Sequence, residues 1–305
     1  MKSDQTRENR TIGRLGSFVL VSFMCLTAVA AAMVLLGRQS APAETEKPRQ
    51  MSLLRYASPA EEEAEAAPGP EPAVELVDID EDLVKGKLIL VRDPGLVTLD
   101  CVEPLGMAPG KTVVDFAAGQ GAVAAVNAGG YEDNGGRSDG TYPVGLVIRD
   151  GVIRWGGPYD LYHVAGLTED GRLLVGEMTG QQALDAGIRS GVSFVTYDGR
   201  SCELIIDGQI QEQNLGPGVN PRTAIGQRED GTLLLLLLDG RGFETLGATL
   251  EDVCRVMRDY GAVTAANLDG GASSSMAWQG ELVNRSTSVM GARTVPTAFV
   301  VGGEG

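Results

Sequence analysis

The sequence predicts an α+β fold: a single mixed α/β domain with a twisted mixed sheet and few helices. Short aliphatic and β-branched runs recur along the chain, and several are bounded by Asp-Gly pairs, which favour hairpin turns. The 305 residues include 42 Gly but only 2 Trp, 7 Tyr and 6 Phe, a composition typical of many tight turns between short strands. Strands do not alternate with full crossover helices, which argues against a doubly wound parallel sheet.

The first residues predict a membrane anchor. Residues 15–37 contain no charged residue and, as a helix of about 34 Å, would cross a bilayer core of about 30 Å. We therefore expect a cytoplasmic tail at 1–14, a transmembrane helix at 15–37, and a single-pass protein of the cell membrane with an extracytoplasmic domain. A cleaved signal peptide is the alternative, although its apolar region usually has only about 7–15 residues.

Residues 38–82 predict a disordered stalk. Proline and glutamate recur there and Tyr56 is the only aromatic residue, so the segment lacks the apolar surface needed to fold. Like charges should keep such a stalk extended. The folded domain is therefore expected at 83–305, long enough for one sizeable core.

Secondary structure within this domain follows from local patterns. Strands are predicted at residues 87–92, 144–149, 172–176, 203–206, 233–238 and 295–301. Hairpin turns are predicted at the Asp-Gly pairs 150–151, 170–171, 198–199, 207–208 and 230–231. Two helices are expected at 112–118 and 179–189. A third begins after Thr249, the predicted N-cap, with Asp252 at its third position and Gly261 as its stop.

Composition also limits the partners. The formal net charge is −16, and Lys and Arg do not cluster as they do in proteins that bind nucleic acid. A single histidine excludes a multi-His zinc site and a two-His facial triad. We predict no nucleic-acid partner, no cofactor and no metal. The acidic loop at 132–139 remains an alternative place for calcium, although its spacing matches no EF-hand.

Three segments are richer in glycine and polar residues than a connector requires: 127–131 (Asn-Ala-Gly-Gly-Tyr), 220–226 and 267–275. Each lies where a predicted strand begins or ends. Such loops present backbone N–H groups and short polar side chains at the rim of a sheet, where several donors together can hold a sugar or an anion.

In this order, the three segments resemble the phosphodiester glycosidase family. The most specific parts are Arg-Thr-Ala-Ile-Gly at 222–226 and Asn-Leu-Asp-Gly-Gly at 267–271. The likeness begins near residues 88–94 and ends with Arg-Thr-Val-Pro-Thr at 293–297. One departure is Ala272, where the family usually has a third glycine, so a methyl group beside the expected site would narrow substrate choice or alter the pocket. The resemblance implies hydrolysis of the bond between the anomeric carbon of a sugar and a phosphodiester oxygen.

That reaction develops positive charge on the sugar and negative charge on the leaving phosphate, so it requires a carboxylate and a cation. We predict Asp269 and Arg222 as the catalytic residues. The predicted substrate-binding residues are Asn127, Asn267, Ser273, Arg293, Gly270 and Gly271. His163 is interpreted as a structural histidine.

The expected function is a membrane-tethered extracytoplasmic hydrolase that cleaves sugar-1-phosphodiesters on a glycan or glycolipid, such as an exopolysaccharide of the cell envelope. The expected partners are the carbohydrate phosphodiester substrate and the membrane. A non-catalytic glycan-binding module that uses the same loops is the alternative. Retention or inversion of the anomeric configuration stays open, because only one carboxylate is well motivated.

Overall fold

The computed structural model describes residues 71–81, 83–135, 137–196, 198–242, 245–287 and 291–303. The predicted tail, the predicted anchor and most of the predicted stalk lie outside these residues. Among the described helices, none has the length and apolar character needed to cross a membrane.

Short strands dominate the described chain. In order they are β1 Val74–Glu81, β2 Val84–Val91, β3 Val97–Cys101, β4 Ala124–Asn127, β5 Val147–Arg149, β6 Val152–Trp155, β7 Leu161–Thr168, β8 Leu173–Thr179, β9 Ile188–Ser193, β10 Glu203–Ile206, β11 Gln209–Ile210, β12 Arg222–Arg228, β13 Leu233–Leu238, β14 Ala262–Asn267, β15 Met276–Trp278, β16 Glu281–Leu282 and β17 Thr297–Val301. The helices are α1 Val113–Gln120, α2 Gly180–Asp185 and α3 Leu250–Asp259. Single 3-10 turns occur at Pro94–Leu96, Glu212–Asn214 and Gly271–Ser273.

The strands form three sheets. Their orders are β1-β2-β13-β12-β14-β10-β11, β16-β15-β4-β17-β3 and β6-β5-β9-β7-β8. The expected sheet-rich domain with few helices is confirmed, but the expectation of one mixed sheet is wrong. Every pair of named strands in the described chain is antiparallel. Many neighbours are joined by tight hairpins, which fit antiparallel pairs, whereas parallel pairs need long crossovers.

Strand β1 lies inside the segment that the sequence assigns to the stalk. It pairs with β2 along its whole length, from Val74 opposite Val91 to Glu81 opposite Val84. Ion pairs of Asp78 and Asp80 with lysines of β2 accompany this pairing. Two of the glutamates that indicated a stalk, Glu71 and Glu75, pair with Arg92, so the described domain begins before residue 83.

The main core lies where the three sheets face one another. Its buried members come from all of them, including Ile89, Val126 and Val192. Strand β13 consists of six leucines, all fully buried. It is the third strand of its sheet, and its side chains alternate between the main core and a second core under α3. A continuous apolar run is expected of a strand covered on both faces.

Local sequence signals account for the helices. Thr249 and Asp252 form the predicted capping box of α3, and Gly261 follows the helix with φ of +85°, a backbone conformation that glycine adopts without strain. Helix α2 has the capping Thr179 but ends at Asp185. It is shorter than predicted because Ile188–Ser193 joins the third sheet as β9.

Candidate active site

The three glycine-rich segments meet at one pocket of about 420 Å³. Five of the eight predicted site residues line it: Arg222, Asn267, Asp269, Gly270 and Gly271. The loop after β4 and strands β7 and β9 of the third sheet supply other parts of the wall. Most of the predicted site residues therefore line a single cavity, and the other three lie behind the wall of that cavity.

Asn127 connects all three segments beneath the pocket. It is 0 % exposed. Its Nδ2 donates to the backbone oxygen of Asp269 at 2.6 Å, while its Oδ1 accepts from the Thr223 hydroxyl at 2.9 Å and from the backbone N–H of Ser275 at 3.0 Å. Because these bonds use the side chain within the protein, the geometry favours a positioning role for Asn127 and does not favour the predicted contact with substrate.

The glycines after β14 allow the loop to fold against the start of β12. The N–H of Gly271 donates to the Pro221 carbonyl at 2.9 Å, and Gly271 has φ of +62°. A Cβ on Gly270 would lie 3.1 Å from the same carbonyl oxygen, tighter than most real contacts. This close approach places Asp269 and Arg222 in the wall of one pocket.

Asp269 has the environment of a titrating carboxyl. Burial raises the pKa of Asp269 to about 7; the hydrogen bond from Ser273 and the charge of Arg293 oppose that rise, and Asp133 adds to it. Its backbone is fixed as well, since its N–H donates to the Ala128 carbonyl at 3.0 Å. A carboxyl group whose pKa lies near neutral pH can exchange a proton during a catalytic cycle.

A hydroxyl chain supports this carboxyl from behind. The Tyr131 hydroxyl lies 3.1 Å from Ser273 Oγ, and both residues are buried. Burial raises the pKa of Tyr131 to about 12, so its hydroxyl stays protonated and can donate to Ser273. The Ser273 hydroxyl can then donate to Asp269. Ser273 therefore orients the carboxyl, whereas the sequence predicts that it binds substrate directly.

Arg222 supplies a cation at the first position of β12. Its Nε donates to the Ala248 carbonyl at 3.1 Å and its Nη2 to the Gly218 carbonyl at 2.8 Å. Burial lowers the pKa of Arg222, and Asp198 acts in the opposite direction. Within the described residues it forms no ion pair, so two backbone carbonyls fix the guanidinium while its charge is left for a ligand. A planar guanidinium suits paired hydrogen bonds to phosphate oxygens.

Asn267 lines the same pocket and has an acceptor that is unpaired in the described chain. The residue is 2 % exposed, and its Oδ1 is buried without a hydrogen-bond partner among the described residues. Such orphaned atoms are rare in folded proteins and need an explanation. A sugar hydroxyl donating to this oxygen would supply the missing bond.

Arg293 and Ala272 lie outside the pocket wall. The Arg293 guanidinium stands 5.3 Å from the centre of the Tyr131 ring, pairs with Asp133, and donates from Nη2 to the Ser138 carbonyl at 3.1 Å. Because Arg293 is buried behind Tyr131, the structure does not favour the predicted contact with substrate. The charge of Arg293 instead lowers the pKa of Asp269. The Ala272 methyl is not part of the described lining.

The sequence analysis interprets His163 as a structural histidine and does not include it among the site residues. The structure places it on β7 in the pocket wall, with Nδ1 2.9 Å from Glu203 Oε1. The signal available in the sequence was the chain's single histidine, in the mixed run Tyr162-His163-Val164. Glu203 is 40 positions away on another sheet, so a single sequence could not reveal the pair.

The acidic loop after Tyr131 does not assemble a metal site in the described chain. No group of three or more His, Cys, Asp or Glu side chains there is placed to hold an ion. Two of the loop's carboxylates already have protein partners: Asp133 pairs with Arg293, and Asp139 accepts from the Thr141 hydroxyl.

The sequence profile of the phosphodiester glycosidase family matches residues 120–302. The chain belongs to this family. The match contains all three glycine-rich segments and confirms the resemblance on which the site prediction rests. Phosphodiester glycosidase membership also supports an enzyme over a non-catalytic glycan-binding module.

Individual phosphodiester glycosidase relatives agree. The chain is 30% identical over 190 residues to the SPbeta prophage-derived uncharacterized protein YomE of Bacillus subtilis, covering 57% of this chain and 27% of the relative. It is 30% identical over 222 residues to mouse N-acetylglucosamine-1-phosphodiester alpha-N-acetylglucosaminidase, covering 66% and 41%. The chain thus spans less than half the length of either relative.

A solved structure shows the same fold. The zebrafish N-acetylglucosamine-1-phosphodiester alpha-N-acetylglucosaminidase catalytic domain, auto-inhibited by its pro-peptide, superposes with a TM-score of 0.61 at 21% identity. The superposition covers 77% of this chain and 85% of that one. The antiparallel sheets described above are therefore arranged as in a phosphodiester glycosidase.

Proposed function

We propose that this protein hydrolyses the bond between the anomeric carbon of a sugar and a phosphodiester oxygen, releasing the free sugar and a phosphomonoester. One observation carries the proposal. A carboxyl that titrates near pH 7, a guanidinium without a carboxylate partner in the described chain and an orphaned amide oxygen share one pocket. Membership of the family supports the same reaction.

Each group has a part in the chemistry. As the anomeric C–O bond breaks, the departing phosphate gains negative charge, which the fixed guanidinium of Arg222 stabilises. The ring gains positive charge, which the ionised carboxylate of Asp269 stabilises, and the same carboxylate can take a proton from the attacking water. Asn267 accepts a hydrogen bond from a sugar hydroxyl and so orients the ring.

The location of the substrate is proposed from the sequence. Residues 15–37 would anchor the chain in a membrane with the domain outside the cytoplasm, so the substrate would be a sugar phosphodiester on an envelope glycan or glycolipid. Protease added to intact cells should then remove the domain without lysis. A domain that is degraded only after lysis would contradict this location.

The reaction is tested with the full-length chain and methyl diesters of hexose-1-phosphates and N-acetylhexosamine-1-phosphates, with free sugar as the readout. We expect release by the wild type and loss of at least about 100-fold in Asp269→Asn and Arg222→Ala. Arg228→Ala, at the other end of β12, and Asp207→Asn, in a hairpin turn, are the matched controls. Binding without release by the wild type would refute the enzyme and favour a binding module.

A further inference from the structure

His163 joins two sheets at the wall of the catalytic pocket. It lies on β7 of the third sheet, and its Nδ1 is 2.9 Å from Oε1 of Glu203 at the start of β10 in the first sheet. The Glu203 side chain is only 12% exposed, whereas that of His163 is 30% exposed. The pair therefore consists of a nearly buried carboxylate and an imidazole that reaches the pocket.

Glu203 determines which ring nitrogen can exchange a proton. Burial raises the pKa of Glu203, but hydrogen bonds from Ser201 and His163 outweigh burial and hold that pKa below its usual value. An ionised carboxylate only accepts hydrogen bonds, so Nδ1 must carry a proton and donate it. The nitrogen left to gain or lose a proton is Nε2.

Nε2 has no hydrogen bond to the carboxylate nearest to it. Glu177 on β8 lies 3.7 Å away, beyond hydrogen-bond distance, and its side chain is 55% exposed. A histidine that serves only the fold is usually buried with both nitrogens bonded within the protein. The geometry here leaves one nitrogen of a partly exposed ring available to a ligand.

The pocket has few positive groups to place against a phosphate. Among the described residues of its wall, only Arg222 and His163 can carry positive charge, while Asp133 and Asp269 carry negative charge. Arg222 keeps its proton at any working pH. An imidazolium can also give its proton away, and the departing phosphomonoester has a second pKa of about 6, which makes it a suitable acceptor.

We propose that His163 is a further catalytic residue, whose imidazolium donates its Nε2 proton to the phosphate oxygen leaving the anomeric carbon, and that Glu203 is its positioning residue. This inference rests on the proposed function. The C–O bond breaks with its electron pair on the oxygen, which takes the proton from Nε2. Water forms the new bond to the anomeric carbon and gives a proton to Asp269. The products are the sugar, a phosphomonoester monoanion, neutral His163 and protonated Asp269, which reset through solvent.

The first test compares His163→Gln, Glu203→Gln and the matched control Glu177→Gln with the wild type, using the same methyl diesters. We expect kcat to fall about 100-fold or more in His163→Gln, about 10-fold in Glu203→Gln and less than threefold in Glu177→Gln, with KM changed less than kcat. His163→Gln should keep the wild-type increase in rate through about pH 7 that belongs to Asp269.

The second test needs no change at the histidine. The chain has one histidine, so the imidazole nitrogen signals of a ¹⁵N-labelled, tag-free protein belong to His163 alone. In Asp269→Asn, which should bind the methyl diester without cleaving it, addition of the diester should shift the Nε2 signal. The Nδ1–H tautomer should predominate at high pH and become less populated in Glu203→Gln. This test also serves if His163→Gln does not fold.

The outcomes separate the two proposals. If the wild type cleaves no diester, the proposed function fails and the role of His163 fails with it. Only the histidine proposal is overturned if the wild type cleaves diesters but kcat of His163→Gln stays within threefold of the wild-type value. The same holds if the Nε2 signal does not shift when the diester binds.

Discussion

Replacing Ser273 by alanine tests how the pocket sets the protonation of its carboxyl. The Ser273 hydroxyl donates to the Asp269 carboxylate, and this bond opposes the effect of burial, which raises the pKa to about 7. A hydrogen bond that favours the charged form lowers the pKa of an acid. Its removal should therefore move the pKa of Asp269 upward.

The size of the shift follows from the strength of such bonds. A hydrogen bond to a charged group contributes about 1.5–3 kcal/mol, and about 1.4 kcal/mol corresponds to one pKa unit. We expect the pKa of Asp269 to rise by about one to two units in Ser273→Ala. At pH 7 the ionised fraction would fall from about one half to between about one tenth and one hundredth, so kcat/KM would fall about 5- to 50-fold.

The assay is the pH dependence of kcat/KM for release of sugar between pH 5 and 10. The rising limb should have its midpoint near 7 in the wild type and about one to two units higher in Ser273→Ala. Ser274→Ala is the matched control, because this neighbouring hydroxyl is also buried but has no hydrogen-bond partner in the described chain. A rising limb that stays in place in Ser273→Ala would refute the reasoning.

Three further predictions concern stability, measured by thermal and urea unfolding. Asp269→Asn should stabilise the fold at pH 8 by up to about 4 kcal/mol and have little effect at pH 4. The reason is that the raised pKa of Asp269 makes the wild-type fold lose stability as the pH rises from about 4 to about 7. Equal effects at both pH values would contradict this prediction. Arg149→Ala should lower the free energy of unfolding by about 3 kcal/mol, because the buried carboxylate of Asp100, 3.0 Å from Arg149, loses its ion pair. A decrease of less than about 1 kcal/mol would contradict this prediction. Asn127→Ala should lower the free energy of unfolding by about 3 kcal/mol or more, because three buried groups lose their hydrogen-bond partner. An unchanged midpoint of unfolding would argue against the connecting role of Asn127.

The sequence predicted correctly those strands, caps and turns that depend on a few neighbouring residues. Strands β10 and β13 have the bounds that their residue types indicate, and α3 begins at the capping Thr249. The Asp-Gly pairs at 150–151 and 207–208 form the hairpins between β5 and β6 and between β10 and β11. At these places the sequence signal and the structural cause lie within a few residues of each other.

Tertiary contacts decide what the sequence could not predict. Strand β1 is recognisable only once its acidic residues are seen beside the lysines of β2. In the site, the motif located Asp269 and Arg222 in one wall, but it could not separate residues that face the pocket from those that support it. Ser273 and Arg293 belong to the supporting group because Tyr131, from a distant loop, fills the space between them.

The position of β1 also affects how separate molecules meet. It is the outermost strand of its sheet in the described chain, and an outer strand offers unpaired backbone groups to which a strand of another molecule can add. The side chains of Asp78 and Asp80 are about three quarters exposed beside that edge. A second copy, which carries the same net charge of −16, would bring further acidic residues against them. Electrostatic repulsion at this edge should therefore keep the sheets of crowded copies from joining into a continuous ribbon.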